Sequence, residues 1–171
     1  GYTLSSLLGD INFDELINVY DAVMLVAIML NYEQGTELQT NSCDTNQDGV
    51  IDIEDIVLLF EWILDLDMNS RRQISSGTYN VFDESIIISS DGDIGGFQIT
   101  LSDRDVEIDL PLPPGWDYSR KGNQLVAYGM NGSSRPDDFQ LFIKDPKAVQ
   151  SIKLAGWSKT SVYAKKEIIP E

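Results

Sequence analysis

Twelve residues, Asp44-Thr45-Asn46-Gln47-Asp48-Gly49-Val50-Ile51-Asp52-Ile53-Glu54-Asp55, constrain this chain more than any others. Side-chain oxygens stand at loop positions 1, 3, 5, 9 and 12 (Asp44, Asn46, Asp48, Asp52, Asp55), and Gly49 occupies position 6, where the backbone must turn sharply. That is the ligand spacing of a calcium loop, in which the carbonyl of Val50 at position 7 is a further ligand. Calcium is a hard cation that takes roughly six to eight oxygens, so one short loop has to bring many of them to one point. A solvated acidic turn needs none of this spacing. Five ligand positions plus the glycine favour the cation.

The pattern occurs twice. Asp10-Ile11-Asn12-Phe13-Asp14-Glu15-Leu16-Ile17-Asn18-Val19-Tyr20-Asp21 places Asp10, Asn12, Asp14, Asn18 and Asp21 at the same positions, with Leu16 at the carbonyl position. Asp10 and Asp44 are 34 residues apart, and each loop runs into an apolar stretch, Ala22 to Leu30 and Ile56 to Leu64. A tetratricopeptide array has a similar period, but two copies without its aromatic pattern make a poor solenoid. The unit is a duplicated loop plus helix.

Charge divides the chain in the same place. Of the 171 residues, 1–70 hold fourteen Asp and Glu and no Lys or Arg, whereas 71–171 hold fourteen acidic and twelve basic residues. The first part repels itself unless cations are bound. Nucleic acid is excluded as a partner class, because phosphate binding needs basic patches. With no His and a single Cys, Cys43, the sequence has no histidine general base, no Cys/His zinc site and no internal disulfide. Cys43 reads as a small buried residue, with a thiol pairing between chains as the alternative. The chain starts at Gly1 rather than Met and is expected to be a processed or partial product.

The first helix is expected from about Asn18 to Asn31 and the second from Asp55 to about Asp65. Ala22–Leu30 would span about 14 Å, far short of a bilayer core of roughly 30 Å, so it is no transmembrane segment. Two such helices bury one face each against one another. Their outer faces, with Val23, Ala27 and Leu30 on the first and Val57, Phe60 and Leu64 on the second, need a cover. The cover is either the second half of the chain or another molecule, and both remain open here.

Gly9-Asp10-Ile11-Asn12-Phe13-Asp14 and Asp44-Thr45-Asn46-Gln47-Asp48-Gly49, each with its hydrophobic helix, resemble the paired repeats of a type I dockerin, over roughly residues 9–66. The resemblance implies EF-hand-like calcium loops, helices that bind a cohesin domain, and two calcium sites. The ligands it implies are Asp10, Asn12, Asp14, Leu16 (carbonyl), Asn18 and Asp21, then Asp44, Asn46, Asp48, Val50 (carbonyl), Asp52 and Asp55. Two departures stand out. Glu15 occupies position 6 of the first loop, where the family has glycine. Loop positions 10 and 11, a Ser-Thr pair in many cellulosomal dockerins, are Val19-Tyr20 and Ile53-Glu54 here, which favours a different, more apolar interface.

Beyond a polar stretch without periodicity, read as a linker over residues 67–77, the hydrophobic period changes to two. Phe97, Ile99 and Leu101 alternate with polar residues, as do Val106, Ile108 and Leu110. Similar runs occupy Ser85–Ser89, Leu125–Met130, Phe139–Lys144, Val149–Ala155 and Ser161–Glu167, between turn signals such as Asp91-Gly92, Asn131-Gly132 and Asp145-Pro146. Short alternating strands between turns predict an antiparallel β-sandwich. Ile86 to Ile99 is similar to the opening strands of cohesin-like sandwiches. The fold class expected is therefore α+β in two parts: a dockerin-like calcium-binding domain over residues 1–66, and over 78–171 a cohesin-like or jelly-roll sandwich.

Trp116, Tyr118 and Trp157 offer a sugar-stacking platform or, as isolated aromatics in β-domains usually do, fill the core. Asn131-Gly132-Ser133 matches a glycosylation acceptor, with a bare hairpin turn as the preferred reading. The pairs Asp103/Asp105 and Asp137/Asp138 have no cleft to serve as glycosidase acids.

The function expected is a non-catalytic, calcium-binding, extracellular assembly protein, secreted or at the cell surface. Its dockerin-like helices would dock on a β-sandwich of the same chain or, head to tail, of a neighbouring copy, giving a homo-polymer such as a filament or surface layer. The alternative is an accessory module that binds polysaccharide. A non-glycine at positive φ costs on the order of 1 kcal/mol, and the first loop has three ligand carboxylates against four in the second. The second site is therefore expected to bind calcium more tightly. Calorimetric titration checks this: equal affinities, or a first loop that fills first, would reject the ranking.

Overall fold

The computed structural model describes residues 8–67, 71–134 and 138–167. Among these, three helices precede ten strands: α1 (Val19–Met29), α2 (Glu37–Cys43) and α3 (Ile53–Leu64), then β1 (Gly77–Val81), β2 (Ser85–Ser90), β3 (Gly96–Leu101), β4 (Ile108–Asp109), β5 (Trp116–Lys121), β6 (Gln124–Gly129), β7 (Asp138–Ile143), β8 (Val149–Ala155), β9 (Ser161–Tyr163) and β10 (Lys165–Lys166). The two-part α+β layout expected from the sequence is what the chain adopts.

Both repeat helices start in the same way. Asn18 caps α1 by accepting from the amide of Tyr20, and Asp52 caps α3 by accepting from that of Glu54. The last residue of each loop, Asp21 or Asp55, reaches back to the amide of the cap residue and completes a capping box. Loop and helix are thus fixed by the same carboxylate. Between the repeats lies α2, which periodicity alone does not reveal. Its own signal is the capping box of Thr36 and Gln39.

The strands form two sheets, β10-β1-β2-β7-β4 and β5-β6-β3-β8-β9, antiparallel throughout except for the β1–β10 pair. Their facing sides enclose one apolar core, which includes Ile86, Ile88, Phe97, Ile99, Leu125, Leu141, Ile152 and Leu154. The expected runs are all present, with bounds moved by a residue or two, although Ser161–Glu167 divides into β9 and β10. Strands β1 and β5 are additional. Strand β5 is largely polar, and its signal is the Gly122-Asn123 hairpin that joins it to β6.

The second sheet is covered on its other face too. Helix α3 packs over β3, β6 and β8, and Ile53, Ile56, Val57, Leu59 and Phe60 share one buried cluster with Val126, Tyr128, Ala155 and Trp157. Phe60 stacks on Tyr128 with ring centroids 5.9 Å apart. A strand buried on both faces loses its alternation, which is why β6 reads as a continuous run, Leu125-Val126-Ala127-Tyr128. Of the proposed outer-face residues, Val57 and Phe60 lie in this contact, with Leu64 half-buried beside it. Val23 is exposed and Ala27 half-buried. Leu30, the C-cap residue of α1, is buried in the same apolar cluster as Val57 and Phe60.

The stretch read as a linker is tied to the sandwich along residues 71–76. Ile74 enters the sandwich core, Arg72 pairs with Asp93 at 3.1 Å, and Asp91 accepts from the amides of Ser75 and Ser76. Gly92 lies so close that a Cβ there would fall 2.4 Å from the Gln73 carbonyl oxygen. Polarity suggested a tether; the backbone partners supplied by the 91–93 turn make it a strap.

Helix α3 approaches β3 at Gly96, where an added Cβ would lie 2.8 Å from Ile53 and 2.9 Å from Val57. Gly96→Ala is expected to destabilise the helix–sheet contact by about 1–3 kcal/mol through overpacking. Hydrogen exchange checks this: amides of α3 should exchange faster while those of the β3–β8 ladder stay protected. Uniform loss of protection would mean that the sandwich itself had failed.

Candidate functional site

The two loops share most of their hydrogen bonds. Asp10 accepts from the amides of Asp14 at 3.2 Å and Glu15 at 2.9 Å, and Asp44 accepts from those of Asp48 at 3.2 Å and Gly49 at 2.9 Å. The third-position amides Asn12 and Asn46 accept from the amides of Asp14 and Asp48. Asp14 and Asp48 in turn accept from Leu16 at 2.9 Å and Val50 at 3.0 Å. Asp21 accepts from the amides of Ile11 and Asn18, and Asp55 from those of Asn46 and Asp52. Backbone donors wrap the outside of each turn and leave the carboxylates converging on its interior.

The result is two clusters, Asp10/Asp14/Asp21 and Asp44/Asp48/Asp55, each with carboxylate oxygens within 4.8 Å of one another. Asp21 and Asp55 are fully buried at their bases. Three like charges at that separation repel, and the low dielectric at the buried member strengthens the repulsion. Burial drives Asp55 up to about 7, against the opposing pull of its backbone donors and with a further push from Asp52 and Asp44. An all-oxygen donor set of this charge suits a hard divalent cation, and calcium in particular, which tolerates irregular carboxylate-rich cages. The residues present fit it. Calcium would remove the repulsion, while the chain's own residues hold the turn's shape and anchor the helix behind it.

Asp52, at the ninth position, is not one of the three converging carboxylates of the second cluster. Asn18 is engaged as the cap of α1. Asp52 uses one oxygen to cap α3 and gives the other to Lys153 of β8 at 2.5 Å. Sequence spacing could not show that engagement, because Lys153 lies 101 positions away. Burial alone would lower the Lys153 ammonium, but its hydrogen bond to Asp52, reinforced by Tyr163 and Glu54, carries it above its ordinary value. The sixth position differs between the loops as expected: Glu15 is held at φ 69° and Gly49 at φ 87°.

The remaining candidates resolve into structural roles. Cys43 is fully buried, and burial together with the neighbouring Asp55 raises its thiol to about 12, which leaves it unreactive. Trp116 and Trp157 are buried, with their indole nitrogens donating to Ser133 and Ser134. Only Tyr118 of that trio is exposed, so the three form no platform. Asn131 lies exposed on its turn and accepts from the amide of Ser133. Asp103 accepts from the amide of Asp105 in a surface turn, Asp138 opens β7, and Asp137 lies outside the described residues.

With this geometry in view, residues 8–64 match the family model of the dockerin type I domain. That span, a third of the chain, is similar to a dockerin type I domain. Dockerins typically bind calcium, and both acidic clusters lie inside the matched span. The chain is also similar to a solved cohesin module from Clostridium perfringens ATCC13124 family 33 glycoside hydrolase, at 9% identity and a TM-score of 0.33, over 56% of this chain and 98% of that module. No curated protein matches the chain. No described helix is long and apolar enough to cross a membrane.

In the chelated protein, Asp55 binds a proton more tightly folded than unfolded, so the stability it contributes is complete below the ordinary carboxylate range and lost as pH rises to about 7. Denaturant unfolding in EGTA should therefore show stability falling between about pH 4 and pH 7, by on the order of a few kcal/mol. Asp55→Asn should flatten that slope. An unchanged slope in the variant would assign the dependence elsewhere.

Proposed function

We propose that this chain is a non-catalytic, calcium-dependent protein-interaction module of extracellular assemblies, with its dockerin part seated on its own cohesin-like sandwich. In this reading the chain divides into a dockerin domain over 1–66 and a sandwich over 78–171, joined by a short strap. Two calcium ions are held, one by Asp10, Asn12, Asp14, the Leu16 carbonyl and Asp21, the other by Asp44, Asn46, Asp48, the Val50 carbonyl and Asp55. The ninth-position residues Asn18 and Asp52 serve through the helix caps. The second site is the tighter, chiefly because Gly49 takes its positive φ without a Cβ where Glu15 must strain.

The observation that carries the reading is the burial of α3, the second repeat helix, against β3, β6 and β8 of the same chain. Dockerins bind partners through their helices, and here one helix already has a sheet. Because one sheet face holds one helix, head-to-tail growth requires the intrachain contact to be given up in favour of the same contact between copies. The outward face of α1, centred on Val23 at 61% exposure, is the surface left for a partner. Calcium occupancy is linked to this arrangement because each loop's last carboxylate also completes the capping box of its helix.

Light scattering with size exclusion tests the reading directly. In calcium the particle should have the mass of one chain, 19.1 kDa. In EGTA the helical signal should fall and the particle should expand. A particle unchanged by chelation would remove calcium from the mechanism, and multiples of the chain mass in calcium would place the docking between copies.

A further inference from the structure

The two repeats are close copies, yet only α3 is laid along the sandwich. At the positions equivalent to Ile53 and Val57 the first repeat has Val19 and Val23, which are apolar as well. Phe60 and Glu61, opposite Val26 and Ala27 of the first repeat, also touch the sandwich, at Tyr128 and at the Ser158 amide. The difference in buried charge lies at the loop's ninth and eleventh positions. The second repeat has Asp52 and Glu54 there, and the first has Asn18 and Tyr20.

The sandwich meets that difference with matched groups. The Lys153 ammonium is 2.5 Å from Asp52 and 3.8 Å from Glu54, and the three side chains are only 14%, 8% and 11% exposed. Ser161 of β9 donates to Glu54 at 2.7 Å, and Gln98 of β3 accepts from the amide of Ile53 at 3.1 Å. Tyr163 places its ring 5.6 Å from the same ammonium. The groups facing Lys153 are thus one aromatic ring and two carboxylates, both supplied by the second repeat.

We propose that Lys153 is the residue by which the sandwich selects the second repeat over the first, reading the Asp52/Glu54 carboxylate pair. This rests on the intrachain docking proposed above. Seating the first repeat instead would bury the ammonium against Asn18 and Tyr20, with no counter-charge. A largely buried charge without its partner is strongly destabilising, whereas removing all members of the set together is close to neutral. Selection therefore comes from the penalty on the wrong repeat more than from added affinity for the right one.

The test is a cycle in the full-length chain with calcium present, read by hydrogen exchange of the α3 amides. Lys153→Met leaves two carboxylates unpaired, and Asp52→Asn with Glu54→Gln leaves the ammonium unpaired. Asn retains the helix cap, as Asn18 does in the first repeat. Each is expected to speed α3 exchange by on the order of tenfold or more, while the β3–β8 ladder stays protected. The triple variant should recover most of the wild-type protection. Additive losses, with the triple variant worst of all, would overturn the selection role and leave Lys153 a packing residue. The docking itself is judged by the wild type: α3 amides unprotected in the parent chain would sink the intrachain contact, whatever the cycle gives.

Discussion

The whole arrangement depends on a twelve-residue helix that has no solvent face over its first two turns. From Ile53 to Phe60 every residue of α3 is buried. A helix apolar on all sides must be covered on all sides, and two short helices cannot do that for each other. The sheet of β3, β6 and β8 supplies the missing cover, and it does so with small residues where the helix comes nearest, Gly95 and Gly96. The dockerin-like part and the sandwich are therefore two regions of secondary structure but share one apolar cluster. Separating them would expose Val57 and Phe60 on one side and Val126, Tyr128 and Trp157 on the other.

That cover is held at the correct angle by chemistry at the helix's start. Asp55 and Asp52 fix the first turn through reciprocal capping bonds, and the same Asp55 closes the acidic turn ahead of it. Whatever neutralises the turn therefore also steadies the end of α3 that lies nearest Lys153. In α1 the same capping occurs, but among the described residues no sandwich cation meets Asn18 or Asp21. Instead the sandwich touches that helix at its other end, where Lys121 donates to the carbonyl of Asn31 at 2.5 Å and lies 5.1 Å from the Tyr32 ring. A cation at a helix C-terminus meets the negative end of the dipole, and a cation beside a cap carboxylate meets a full charge. The two helices are thus gripped differently despite their common sequence pattern.

Much of this is legible in the sequence alone. The loops were readable because ligand spacing is a local constraint, and so were the alternating strands, whose period is fixed by the pleat. The helices were readable as apolar stretches, although continuous hydrophobicity carries no phase and does not tell which side is covered by what. Helix α2 was missed because Glu37-Leu38-Gln39-Thr40-Asn41-Ser42-Cys43 lacks an apolar stripe, and only Thr36 and Gln39 mark it. Strand β5 was missed because, as a largely exposed outer strand, it has no reason to alternate. The 71–76 strap was missed because its partners, Asp91 and Asp93, are supplied from another turn. The engagement of Asp52 was invisible for the same reason. Local pattern reports what a residue can do, and only the fold decides which of two uses it is given.

The uneven charge of the chain takes on a different meaning in three dimensions. The acidic first part, at −14, is joined to a sandwich at −2, since residues 71–171 hold twelve basic against fourteen acidic side chains. Net charge therefore opposes the association of the two parts at long range. Attraction has to be local: Lys153 meets one helix start, Lys121 the other helix end, and Arg71 and Lys159 act on Glu61 of α3. Exposed pairs would be screened within about 8–10 Å at ordinary ionic strength, but Lys153 and Asp52 are shielded from water by α3 and Tyr163. Apolar burial supplies the energy of this contact without specifying its register. A small number of shielded charges, set in an otherwise repulsive field, specify the register without needing to supply much of the energy.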